Sequence, residues 1–107
     1  MLIESINIVC FANYCRSPVA EKLLQKKFNR ITFQSAGIAP VPEANMDPRS
    51  ISFLKSKGIN ETTHMPKSIN DFILKNSRHV LALDMFILME LNKRYGSQLK
   101  FKLLNFK

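Results

Sequence analysis

The stretch VCFANYCRSP, residues 9–18, decides how this chain is read. Residues 3–9 form an apolar run of the kind that makes a buried strand, and Ser17 followed by Pro18 is the chemistry of a helix start. Residues 10–16 are then the turn between them, opened by one of only two cysteines and closed by an arginine. A loop that opens a helix presents successive backbone N–H groups and the positive end of the helix dipole, which together make an anion nest. A phosphate would sit there.

The residue types in that turn fit the position. Arg16 offers a planar, permanently charged fork that can hold two phosphate oxygens at once. Cys10 offers a sulfur nucleophile under the phosphorus, so that attack in line forms a cysteinyl-phosphate which water then hydrolyses. Ser17 can donate a hydrogen bond to the thiolate and help it leave in the second step, and Asn13 suits a left-handed backbone position in so tight a loop. The plainer alternative is a structural Cys10 at a strand end and a surface Arg16. Spacing alone does not separate the two readings; the strand before, the helix start after and the Asn within are independent requirements that favour the chemical one.

Outward from the loop, 107 residues with 46% hydrophobic content specify one domain, residues 1–107, with a single layered core. No run approaches the roughly 20 apolar residues of a membrane span, and MLIESINIVC lacks the basic lead and cleavage pattern of a secretory signal, so a cytoplasmic protein with no membrane partner is expected. Two cysteines without a second Cys/His cluster make neither a disulfide framework nor a metal site. The formal charge is +8, and Lys93, Arg94, Lys100, Lys102 and Lys107 all follow Glu90 with no acid among them. Without Arg/Gly or Arg/aromatic interleaving, this reads as a solvated basic surface rather than a nucleic-acid interface.

Strand-like and helix-like segments alternate, which predicts an α/β domain: three layers, a four-stranded parallel sheet and helices on both faces. The expected order is a strand at 3–9, a helix at 18–28 with Ala20, Leu23, Leu24 and Phe28 on one face, and a strand at 31–34. A Pro-rich loop (35–48) follows, long enough to line a site. Next come a helix at 48–57 capped by Asp47 and ended by Gly58, a short helix near 69–74 and a strand at 79–83. The last two elements are a helix capped by Asp84, with Leu88, Leu91 and Tyr95 on one face and Gly96 at its end, and a strand at 101–106. Ligands in such sheets bind at the carboxyl ends of strands, at a switch point, and Cys10 sits at such an end.

At these residues the sequence resembles the low-molecular-weight protein tyrosine phosphatases, whose signature is Cys, five residues, Arg, Ser, with N-x-C-R-S-P-x-A-E in and after the loop. NYCRSPVAE, residues 13–21, matches every fixed position, and SAG (35–37), DPRS (47–50), GIN (58–60), His64 and HVLALD (79–84) follow in order. The resemblance implies a cytoplasmic phosphatase of the phosphatase-loop type, acting on phosphotyrosine proteins or small aryl phosphates without metal or organic cofactor. It makes Cys10 the nucleophile, Arg16 the phosphate clamp and Phe11, Ala12, Asn13, Tyr14 and Cys15 the phosphate-binding loop. Ser17, Asn13, Ser35 and His64 correspond to the polar network that holds the loop, although His64 can equally serve a purely structural hydrogen bond. Cys15 corresponds to a second loop cysteine able to form a reversible disulfide with the nucleophile, or it only fills space. In bacteria the implied partner is a tyrosine autokinase of polysaccharide export.

Three departures qualify the resemblance. Ala12 stands where the family usually has glycine, and its methyl group is expected to crowd the nest or distort a backbone angle. Residues 38–46 hold no aromatic to wall a phosphotyrosine slot, which leaves Phe11 and Tyr14 for that task. No carboxylate side chain follows Glu90, whereas the family carries its general acid in an Asp-Pro loop after the last strand and closes with a long helix. Protonating the leaving oxygen contributes a factor of about 10² to 10⁴, so activated aryl phosphates are expected to turn over and phosphotyrosine slowly, unless Glu43 stands in; Asp47 and Asp84 read as helix caps. A sheet normally needs cover on both faces, so exposed apolar surface and a homodimer through it are further expectations. The competing functions are a non-catalytic phosphate or phosphoprotein binding module and a thioredoxin-coupled arsenate reductase; the latter needs further cysteines, and none follows Cys15.

Overall fold

The computed structural model describes residues 5–40 and 45–104. Its elements run β1 (Ser5–Cys10), α1 (Arg16–Lys27), β2 (Thr32–Gly37), α2 (Pro48–Ser56), α3 (Asp71–Lys75), β3 (His79–Ala82), α4 (Met85–Tyr95) and β4 (Phe101–Leu103). The four strands form one parallel sheet in the order β2-β1-β3-β4. The chain leaves β1 toward one side of the sheet and returns to β1's other side with β3, so the switch point lies at the carboxyl end of β1. Cys10 ends that strand, opposite Gly37 of β2.

The pleat of β1 divides the core. Val9 faces one side, where Val80, Ala82, Ile69, Leu74, Ile87 and Leu91 pack, so α3 and α4 cover that face. Ile8 faces the other, against Phe33 and Ala20, with Leu24 alongside. Successive residues of a strand point to opposite faces, so an apolar run without alternation needs cover on both. A third cluster, Met46, Leu54 and Ile59, seats α2 against Val19 and Leu23 of α1. The three-layer α/β architecture is the expected one.

Several boundaries differ from the sequence expectation for physical reasons. Helix α1 begins at Arg16, two residues before Pro18, because the Cys15 carbonyl already accepts from the Val19 N–H (3.3 Å). Pro18 therefore occupies the first turn, where its missing N–H costs nothing. The face expected on α1 divides: Ala20 and Leu24 meet the sheet, Leu23 meets α2, and Phe28 is 43% exposed beyond the helix end. Strand β2 runs on through Ser35, Ala36 and Gly37, whose small side chains carry no strand pattern but whose backbone pairs with β1. Helix α3 starts after Asn70, whose side chain accepts from the Ile73 N–H, which leaves Ile69 outside. Asp47 and Asp84 cap α2 and α4 as expected, and Gly96 ends α4. Residues 3 and 4, residue 43 and residues 105 and 106, on which strand ends and a candidate acid were placed, lie outside the described residues.

An open groove of about 700 Å³ runs beside α1 and α2, floored by Val19, Ala20, Leu23, Phe53 and Leu83. No helix among the described residues is long and apolar enough to cross a membrane.

Candidate active site

The loop between β1 and α1, residues 11–15, is wound around Asn13. Its backbone adopts φ +51°, the left-handed region that Asn tolerates better than most residues, and it is wholly buried. Every polar group of Asn13 is engaged. Its N–H donates to Cys10 Sγ (3.3 Å), Nδ2 donates to Ser17 Oγ (2.9 Å), Oδ1 accepts from the Lys67 N–H (2.9 Å), and its carbonyl meets His64 Nε2 (2.7 Å). A carbonyl can only accept, so His64 holds a proton on Nε2.

Cys10 is buried at the loop's base with Sγ 2.9 Å from Ser17 Oγ. Because Ser17 Oγ accepts from Asn13 Nδ2, its own hydrogen is free to point at sulfur. Two donors thus converge on Sγ, the Ser17 hydroxyl and the Asn13 N–H, so the sulfur accepts from both. The first turn of α1 adds N–H groups without intrahelical partners and the positive end of the dipole. The loop is pinned from behind by the residues that follow β2. Ile38 N–H donates to the Cys10 carbonyl (3.1 Å) and Ala39 N–H to that of Phe11 (2.8 Å). A Cβ on Gly37 would lie 2.8 Å from the Phe11 carbonyl oxygen and 2.9 Å from the Asn13 nitrogen, so only glycine lets β2 approach this closely.

Arg16 closes the loop, half-exposed, with Nη1 donating to Asp84 Oδ2 at 2.8 Å. Asp84 does two jobs: its Oδ1 accepts from the Ile87 N–H to cap α4, and its Oδ2 holds the guanidinium. The Ile87 N–H first, and Arg16 second, keep this carboxyl below the usual carboxylate range. It is therefore ionised at neutral pH and holds no proton to give. Asp47 is held low likewise, mainly by the Arg49 side chain.

The residues expected at the site separate into three groups. Cys10, Asn13, Arg16, Ser17 and His64 are brought together in and around the loop, with Phe11, Ala12 and Tyr14 in its backbone. Ser35 is buried in β2 and donates to Glu21 of α1 (2.5 Å), so it braces the helix behind the loop rather than the loop itself. Cys15 is exposed and turned to α2, where its Sγ accepts from Ser50 Oγ (3.2 Å); both cysteines are free. Three residues escaped the sequence reading: Asp84 as the partner of Arg16, Lys67 as a donor to Asn13, and Phe86, whose ring centroid lies 6.5 Å from that of Phe11. The position of Asp84 at the carboxyl end of a strand was the available signal for the first. Among the described residues no group of three or more His, Cys, Asp or Glu side chains could hold a metal ion.

Comparison with known proteins agrees with this geometry. The family model for low molecular weight phosphotyrosine protein phosphatase matches residues 5–106. The chain is 32% identical over 83 residues to the low molecular weight protein-tyrosine-phosphatase Ptp of Acinetobacter johnsonii, covering 78% of this chain and 58% of that relative's length. Among solved structures it is similar to the YwlE arginine phosphatase of Bacillus subtilis, with TM-score 0.81 at 25% identity over 86% of this chain and 62% of the other. Vibrio vulnificus Wzb in complex with benzylphosphonate shares the fold, with TM-score 0.87 at 23% identity over 95% and 73%.

Proposed function

The chain belongs to the low molecular weight phosphotyrosine protein phosphatase family, and from that premise we propose that it hydrolyses aryl phosphates, phosphotyrosine in proteins foremost, through a cysteinyl-phosphate. The observation that carries this reading is the convergence of the Ser17 hydroxyl and the Asn13 N–H on Cys10 Sγ inside a loop closed by Arg16. In the first step the Cys10 thiolate attacks phosphorus, the S–P bond forms as the P–O bond to the aryl group breaks, and the departing phenolate takes a proton. Arg16 and the loop N–H groups hold the three equatorial oxygens while charge shifts among them. In the second step water attacks the same phosphorus, the S–P bond breaks as the new P–O bond forms, the group that protonated the phenolate takes the water's proton, inorganic phosphate leaves, and the thiolate returns to its two donors. The polar chain from Lys67 through Asn13 to Ser17 keeps that acceptor geometry fixed between steps. A protein substrate of this kind is made by a tyrosine kinase, which places such a kinase upstream.

Asp84 is ionised and engaged with Arg16, so it positions the clamp and does not protonate the leaving group. Glu43 is the carboxylate the sequence offers for that donor role. Steady-state hydrolysis of p-nitrophenyl phosphate and of a phosphotyrosine peptide by one preparation tests the assignment. We expect Cys10→Ser to abolish both reactions while phosphate still binds, Arg16→Ala to lose both hydrolysis and binding, and Glu43→Gln to slow the peptide more than the activated ester. The loss on removing a positioned charge-stabilising donor is on the order of 10² to 10³ in kcat. An active Cys10→Ser protein would sink the mechanism. A phosphoarginine peptide turned over faster than phosphotyrosine would reassign the substrate.

A further inference from the structure

We infer that the first two turns of α4 form a peptide subsite beside the phosphate loop, which takes an apolar side chain close in sequence to the phosphorylated residue; this rests on the phosphatase reading above. Phe11 follows Cys10 directly and is 48% exposed, and Phe86 on α4 is 59% exposed. Their rings lie 6.5 Å apart, tilted by 46°, a separation and inclination typical of attractive aromatic pairs. Phe86 stands in the same turn that Asp84 caps, and Asp84 holds Arg16. The start of α4 is thus fixed against both ends of the loop, by an aromatic contact at Phe11 and an ion pair at Arg16. A ring there is positioned by the site, not left over from the core.

From Phe86 the helix continues the same face. Met89, Glu90 and Lys93 follow at three, four and seven residues, and with Phe86 they line a shallow depression of about 300 Å³. Met89 is 64% exposed, and methionine adapts its shape to varied apolar partners. Seven helical residues advance about 10 Å, the reach of about three residues of extended peptide. A substrate whose phosphate is in the loop therefore lays a residue up to about three positions away onto Phe86 and Met89. Glu90 is drawn to Arg94 at 3.3 Å along the helix, which leaves the apolar end of the depression as its recognition element.

The test measures binding of phosphotyrosine peptides to Cys10→Ser protein, with leucine or serine placed in turn at each of three positions on either side of the phosphotyrosine. Leucine at one position should tighten binding by about 3- to 10-fold, the range expected for partly burying one aliphatic group. That gain should vanish in Phe86→Ala and in Met89→Ala, while inorganic phosphate binds all three proteins alike. Both side chains are exposed, so the variants should keep the far-ultraviolet circular dichroism of the parent. Equal affinity for leucine and serine peptides, or a preference that survives both substitutions, would overturn the subsite and leave the phosphatase reading intact. Failure of the parent to bind either inorganic phosphate or any peptide would overturn both. A concentration-dependent dimer abolished by Phe86→Ala would assign the face to a second copy of the chain and overturn the subsite.

Discussion

At Asn13 three requirements meet in one small side chain: a positive φ, a donor to Ser17 and an acceptor for the Lys67 N–H. Glycine would meet the first alone, and aspartate would lose the donor, so the choice of residue follows from the loop's shape and its wiring together. Asp84 is comparably constrained, since a cap needs an acceptor at the start of α4 and Arg16 needs a negative charge at the same place. This second role makes a pH prediction. The Ile87 N–H and Arg16 hold the Asp84 carboxyl below its ordinary 3.8, so the folded state prefers the ionised form more than the unfolded chain does. Its contribution is complete above the unfolded value and is lost as pH falls through the folded one. Asp84→Asn keeps a competent cap through its one carbonyl oxygen and removes both the charge and the acceptor that hold Arg16. The expected stability difference between parent and variant, from urea unfolding, is constant from pH 7 to about 5 and shrinks below about 4. It should stay under about 1 kcal/mol, because the pair is part-exposed and screened. A difference that grows on acidification would contradict the assignment.

Among the elements, β2 is the least conspicuous and the most consequential. Its last residue, Gly37, abuts the loop between β1 and α1 so closely that a methyl group would meet the Phe11 carbonyl oxygen and the Asn13 nitrogen below 3 Å. Both are backbone atoms, so neither can swing aside and the loop itself must shift. Gly37→Ala is expected to fold yet bind phosphate at least about tenfold more weakly, since displacing a site by about 1 Å costs up to 10². Gly96→Ala is the control: φ is +76° there and nothing lies within 4 Å of the added atom. It should lose about 1 kcal/mol of stability to backbone strain and bind phosphate normally. Titration calorimetry with inorganic phosphate reads the contrast, and equal affinities would show that β2 does not shape the loop. The same elements show what sequence can convey. Asp47 with Pro48, and Asp84 with Gly96, announce two helices because caps act within a few residues. The Cys10 to Arg16 spacing announces the loop for the same reason. The end of β2 was illegible, because Ser35, Ala36 and Gly37 owe their strand conformation to pairing with β1 and not to their own preference. The Arg16–Asp84 pair, 68 residues apart, and the His64–Asn13 contact, 51 apart, depend on strand order and on the path of a loop, neither of which local pattern encodes.

For the molecule as a whole, a net charge of +8 on 107 residues means self-repulsion in the compact state. Any salt relieves it, so anions in general should raise the melting temperature by screening. A phosphate site adds a second effect that screening cannot imitate, because a ligand that binds only the folded state stabilises it by mass action. At 100 times the dissociation constant this amounts to about 2.7 kcal/mol, on the order of 10 °C in a domain this size. Phosphate and chloride compared at equal ionic strength separate the two contributions, since both screen and only one enters the loop. The parent and Cys10→Ser proteins should melt higher in phosphate than in chloride. Arg16→Ala should respond to the two salts alike, because it keeps the global charge pattern nearly unchanged, at +7, and loses the clamp. A phosphate increment that survives Arg16→Ala would place the anion elsewhere on the basic surface. An increment absent from the parent would mean that the donors around Cys10 do not gather phosphate at all, and the chemistry assigned to the loop would fall with it.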